Sequence, residues 1–149
     1  MATGSAMFHK ILVGYDGSKG GAAALRHAAE MARDYEAQIT ALWVCEPLPR
    51  HSDLPGEFEA EKETADEYFS DRQKEVQDVS TDNHVRIACE LRSGHPAKAL
   101  VKHANEGGYD LIVVGHSNHS ELWGRILGDT ADRIADHAHC SVLVIKAPD

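Results

Sequence analysis

Asp110-Leu111-Ile112-Val113-Val114-Gly115-His116-Ser117-Asn118-His119 is the stretch whose reading decides the fold. Its four consecutive bulky apolar residues, bounded by Asp110 and Gly115, lack the polar alternation of a half-exposed strand. That pattern suits a central parallel strand covered on both faces. Small and polar residues follow, and Gly128 opens a helix further on. A buried strand that hands the chain through a polar turn to a helix N-terminus supplies the backbone donors an anionic ligand needs.

Upstream, Ile11-Leu12-Val13-Gly14-Tyr15 is a strand of the same kind, ending at Asp16-Gly17-Ser18. Ser18 suits the cap of a helix over Lys19 to Tyr35, where Leu25, Ala28, Ala29 and Ala32 share one face. Ile39 to Val44 forms a second strand, stopped by Pro47 and Pro49 because proline cannot donate to a ladder, and Arg50 to Gly56 is a loop. A helix is expected from Glu57 to about Val79. Phe58, Ala65, Phe69, the stem of Arg72, Val76 and Val79 form its apolar stripe, and Glu57, Glu59, Glu61, Glu63, Asp66 and Glu67 its solvated face.

Val85 to Leu91 alternates as a strand near a sheet edge does, and Ser93-Gly94-His95-Pro96 ends it and begins a helix with proline in the first turn. Ala97, Leu100, Val101 and Ala104 line that helix, and Gly107-Gly108 ends it. Beyond the deciding stretch, Ile126, Leu127, Ala131, Ile134, Ala135 and Ala138 mark a last helix, and Val142-Leu143-Val144-Ile145 a fifth strand.

Strands alternating with helices through short connections imply an α/β fold with right-handed crossovers. The expectation is one domain over residues 8–147, with residues 1–7 an extension outside the fold. Its core is expected to be an open five-stranded parallel sheet sandwiched by about four helices in a Rossmann-like arrangement, with the order 3-2-1-4-5 if the first strand lies centrally and the chain reverses direction after the third. A chain of 149 residues is long enough for one good core. In such a sheet strands one and four are neighbours at the point where the strand order reverses, and ligands bind beyond the strands' carboxyl ends there. Asp16-Gly17-Ser18 and Gly115-His116-Ser117-Asn118 occupy those two ends.

Composition narrows the partners. A net charge of −9 argues against nucleic acid, whose backbone is held by clustered cations. No apolar run approaches the ~20 residues of a membrane span, and no export signal opens the chain, so the expected location is the cytoplasm. Cys45, Cys89 and Cys140 are odd in number and far apart, as buried thiols of a reducing compartment are. His116, His119, His137 and His139 crowd the last third, but without a paired CxxC or HExxH pattern they do not spell a zinc site.

Four segments in order resemble the universal stress protein family across Phe8 to Lys146. They are Ile11 to Ser18, Gly94-His95-Pro96-Ala97, Asp110 to Gly115, and His139-Cys140-Ser141-Val142-Leu143-Val144. The resemblance implies the adenine nucleotide alpha hydrolase-like version of the fold. Nucleotide-binding members carry Gly, two residues, Gly, nine residues, then Gly followed by Ser or Thr. Here Gly115, Asn118, Gly128 and Asp129 keep the spacing, but Asn118 replaces a glycine and Asp129 a hydroxyl residue.

Asp129 sets a carboxylate where phosphates are expected, and anions about 4 Å apart repel by about 1 kcal/mol in water. Thr130 offers a hydroxyl next to it, and a magnesium ion bridging Asp129 to the phosphates would turn repulsion into coordination. The resemblance further implies that Asp16 bonds the ribose or holds the magnesium, and that Val44 offers backbone groups to the adenine edge. Gly14, Tyr15, Val114 and Ser117 flank these positions and complete the candidate set, with Tyr15 as well suited to the core or a gate as to ligand contact. It also implies a homodimer paired through Val142 to Ile145, since an apolar edge strand should be covered.

The expected function is a cytosolic, dimeric stress-response module that binds AMP, ADP or ATP and acts by binding, not turnover. The alternatives are a family member that works only as an interaction dimer, for which Asn118 and Asp129 speak, and a slow ATPase.

Overall fold

The computed structural model describes residues 7–45, 55–116 and 129–147. Nine elements follow one another: β1 (Lys10–Gly14), α1 (Lys19–Tyr35), β2 (Gln38–Cys45), α2 (Pro55–Asn83), β3 (Ile87–Ser93), α3 (Pro96–Gly107), β4 (Leu111–Gly115), α4 (Asp129–His137) and β5 (Ser141–Ile145). The strands form one sheet in the order β3-β2-β1-β4-β5, and every neighbouring pair is parallel. This is the architecture expected from the sequence.

Successive residues of a strand point to opposite faces of the sheet, so each central strand feeds two cores. Ile11, Val13, Leu111 and Val113 pack with Ala24, Leu25, Ala28 and Ala32 of α1 and Val76 of α2. Leu12, Leu42, Ile112 and Val114 pack on the other face with Leu100 and Ala104 of α3 and Ala131 and Ile134 of α4. Ile11, Leu12 and Val13 all have 0% exposure, which is why β1 shows no polar alternation.

Local chemistry sets the helix ends. The Ser18 hydroxyl accepts the Gly21 N–H at 3.0 Å and opens α1, which closes on Glu36 in the left-handed region at φ 56°. Pro96 begins α3, and Gly108 ends it at φ 71°. At the far end of the sheet, the Asp110 carboxylate accepts the N–H groups of His9 at 2.8 Å and Lys10 at 3.0 Å, tying the start of β1 to that of β4.

Four details differ from the sequence expectation. Helix α2 is longer than Glu57 to Val79, because nothing in Ser80 to Asn83 breaks it and the Asn83 side chain donates to the Val79 carbonyl at 3.0 Å. Strand β3 starts at Ile87 instead of Val85, since the Val85 N–H is held by the Ser80 carbonyl at the helix end and His84 takes a positive φ of 55°. Ala135 is exposed, so the buried stripe of α4 runs through Ala131 and Ile134 to the half-buried Ala138. Cys45, Cys89 and Cys140 are half-buried, not fully enclosed; burial pushes the Cys89 and Cys140 thiols up.

Val76 and Val79 pack as expected, and Asp66 and Glu67 are exposed. Phe58, Glu57, Glu59, Glu61, Glu63 and Ala65 lie in a part of α2 whose side chains are outside the described ones, and Ile126 and Leu127 lie outside the described residues.

Candidate functional site

The carboxyl ends of β1 and β4 stand side by side where the strand order reverses, and a cavity of about 180 Å³ opens there. Gly14, Tyr15, Asp16, Val44, Val114, Gly115 and Thr130 line it, so seven of the sequence candidates come together from four separate elements. Ser117, Asn118 and Gly128 lie outside the described residues, as does His119. Asp129 is the first residue of α4, and its side chain is outside the described ones.

Ser18, Gly21, Leu42, Pro96 and Leu100 also line the cavity and were not among the candidates. Pro96 had a signal, the Gly-His-Pro-Ala segment. Leu42 and Leu100 had none that distinguishes them from ordinary core residues.

Asp16 sits in a tight turn. Its Oδ1 accepts the Ser18 N–H at 2.9 Å, and a Cβ at Gly21 would come within 2.8 Å of the same oxygen. Glycine at 21 is therefore what lets the first turn of α1 lie against the carboxylate. Asp16 is exposed, and Thr130, in the first turn of α4, is exposed too. A helix N-terminus carries backbone N–H groups without intrahelical partners and partial positive charge, and both α1 and α4 begin beside the cavity.

Gly115 has a different reason for being glycine than ligand approach. A Cβ there would stand 2.2 Å from the backbone carbon and oxygen of Gly20 and 2.7 Å from the Gly21 nitrogen. The glycines at 20 and 115 let α1 pack backbone to backbone on the end of β4. The His116 N–H beyond it donates to the Ile145 carbonyl at 2.7 Å, so the chain leaves β4 still tied to β5.

The structure also shows a support that sequence patterning did not reveal. Tyr15 is buried, and its hydroxyl donates to Glu75 Oε1 at 2.8 Å; burial, and then Glu75, push its phenol well above the usual tyrosine range. The Tyr68 hydroxyl donates to the Asp16 carbonyl at 3.1 Å. Arg72 pairs with Glu75 at 2.7 Å and lies over the Tyr68 ring at 4.2 Å. The Arg72 guanidinium fills the space a Cβ of Gly17 would need, at 2.0 Å, and Gly17 itself has a φ of 84°. Three side chains of α2 therefore hold the residues before, at and after Asp16. Trp43, stacked on Phe69 at 5.9 Å and 12°, anchors that part of α2 to β2.

Comparison with known proteins gives concordant results. The model of the universal stress protein family matches residues 7–146. A universal stress protein of Methanocaldococcus jannaschii is 33% identical over 147 residues, covering 97% of this chain and 86% of that protein. Among solved structures, a universal stress protein in complex with cAMP superposes with a TM-score of 0.72 at 24% identity, covering 95% of this chain and 98% of that one. An Arabidopsis thaliana family protein with AMP bound gives 0.69 at 18% identity, covering 94% and 92%. At those identities, the two structures speak for the fold.

Proposed function

Because the chain belongs to the universal stress protein family, we propose that it binds an adenine nucleotide at the ends of β1 and β4 and acts through binding, not turnover. One observation carries this reading: seven candidate residues from β1, β2, β4, α4 and the turn after β1 line a single cavity at the reversal of strand order. The neighbours solved with cAMP and with AMP support it.

At about 180 Å³ the cavity is smaller than the ~300 Å³ at which small-molecule pockets usually begin. It takes the nucleoside end only, and the phosphates extend along Thr130 toward the N-terminus of α4. Asp16 receives a ribose hydroxyl, and the Val44 backbone meets the base edge. Among the described residues no three His, Cys, Asp or Glu side chains cluster to hold a metal. Magnesium therefore enters with the phosphates, held by Asp16 or by Asp129, with the remaining ligands from phosphate and water.

Nucleotide released from heat-denatured purified protein, and calorimetric titration with AMP, ADP, ATP and cAMP with magnesium present, test the proposal. Saturable binding of at least one of them is expected. Failure of all four to bind refutes it and leaves an interaction module without nucleotide.

The working unit is a homodimer paired through β5. That strand forms one edge of the sheet, and its Val142, Leu143, Val144 and Ile145 are only partly buried. An apolar edge of that length invites a second strand. Light scattering should report about twice the chain mass of 16.3 kDa. A monomer at high micromolar concentration would exclude the pairing. No helix among the described residues is long and apolar enough to cross a membrane; the cytoplasm remains our proposed location.

A further inference from the structure

A second, larger cavity of about 550 Å³ lies between α3 and α4, outside the strand-end site. Its volume is in the ~300–1,000 Å³ range of small-molecule pockets. The buried Ala97 and the half-buried Val101 give it an apolar floor. Lys98 and Lys102 stand one turn apart on α3, facing Arg133 and His137 one turn apart on α4, and His95 closes one end.

The charge is all of one sign. No carboxylate is among the described residues lining this cavity, although Asp and Glu outnumber Lys and Arg by 24 to 15 in the chain. Nor, among the described residues, do Lys98, Lys102 or Arg133 have a carboxylate within 4.0 Å. Three fixed cations crowded without counter-charge repel one another, and a bound anion relieves that repulsion.

The polar atoms are arranged to receive acceptors. Arg133 Nη1 lies 3.3 Å from His95 Nε2, and since a guanidinium can only donate, that nitrogen is the acceptor and the His95 ring carries its proton on Nδ1. His137 Nδ1 lies 3.0 Å from the Arg133 carbonyl, which can only accept, so His137 is protonated on Nδ1.

Length selects the occupant. The basic wall spans about 6 Å of α3, from Lys98 to Lys102, and about 6 Å of α4, from Arg133 to His137, at the helical rise of about 1.5 Å per residue. That is too short on α4 to meet the anchors a docked helix presents over two turns, and it fits a small molecule. A guanidinium fork and two ammonium groups suit a dianion better than a single carboxylate. We propose that this groove is a second ligand site, taking a phosphate monoester carried on an apolar body.

The proposal does not rest on nucleotide binding, but the two sites adjoin: Pro96 and Thr130 line the first, and His95, Ala97 and Arg133 the second. The phosphate therefore has two sources, a separate molecule or the tail of a nucleotide held at the strand ends, and we assign it to a separate molecule. Phenyl phosphate is the probe, with benzyl alcohol as its uncharged control, followed by amide chemical shifts of the full chain.

Phenyl phosphate should give saturable shifts centred on Ala97 to Lys102 and Arg133 to His137, unchanged in Asp16→Ala. The exposed pair Lys98→Ala and Arg133→Ala together should weaken binding at least tenfold, and Lys102→Glu alone should weaken it without altering the dispersion of the spectrum. Added salt should weaken it further. Equal binding of benzyl alcohol, unchanged affinity in both variants, absence of saturable shifts, or shifts gathered on Gly14 to Ser18 would each overturn the site. If AMP shifts the groove amides and Asp16→Ala abolishes the response to AMP and phenyl phosphate alike, the phosphate belongs to the nucleotide and the separate site is refuted.

Discussion

Gly115→Ala should lower the stability of the fold by about 3 kcal/mol, the upper part of the range for overpacking, even though it adds a single methyl group. The methyl would sit 2.2 Å from the Gly20 backbone. A flexible side chain in that place would swing aside, as the Leu100 tip near Gly14 can. Here the obstacle is main chain at the start of α1, whose alanine-rich face is locked against β1 and β4 by Ala24, Ala28 and Ala32. Relief requires a shift of the whole helix start, which also carries the Ser18 cap and the turn around Asp16.

Thermal unfolding should drop by about 10 °C at roughly 2–4 °C per kcal/mol for a chain of this size. Gly20→Ala, whose methyl would stand 2.7 Å from the His116 carbonyl, should act in the same direction. A midpoint for Gly115→Ala within a few degrees of the parent would mean that α1 yields at little cost and that the close approach is incidental.

Asp16→Ala should weaken nucleotide binding at least tenfold while leaving a folded protein. The side chain serves twice: Oδ1 accepts the Ser18 N–H, and the carboxylate is the one anionic group among the described residues lining the strand-end cavity. Losing a hydrogen bond to a charged group costs about 1.5–3 kcal/mol, so affinity should fall at least tenfold and up to about a hundredfold. Asp16→Asn separates the two duties, because its carbonyl oxygen keeps the turn while the charge is gone. If magnesium enters through Asp16, the asparagine variant should lose the magnesium dependence of binding and keep the parent's stability. Undiminished affinity in the alanine variant would confine Asp16 to turn formation.

Much of this was visible in the chain as written. Leu111 to Val114 and Ile11 to Val13 announce buried strands because a strand covered on both faces cannot alternate. Ser18 and Gly108 mark helix ends, since only certain side chains satisfy or tolerate those backbone positions. The proposed location of the site followed from strand order, which held on the condition that the first strand is central and the chain reverses after the third, since crossover rules fix handedness alone. Val85 was misplaced because its alternation continues a strand pattern, while its N–H is already taken by the Ser80 carbonyl.

Sequence alone determined the alternation of buried strands and helices and hence a parallel sheet, because these depend on periodicity and on short-range backbone chemistry; the strand order and the residues at the facing strand ends rested on a central first strand and on the family resemblance. Only the tertiary structure decided what each residue does in place. Gly115 is glycine because Gly20 presses on it, and Tyr15 serves Glu75. Arg72 covers Gly17 in place of lending only its stem, and Lys98 and Arg133 line one groove. Each of these juxtaposes elements distant in the chain, set by how far one helix slides or rotates against the sheet, and no local pattern of residues encodes that displacement.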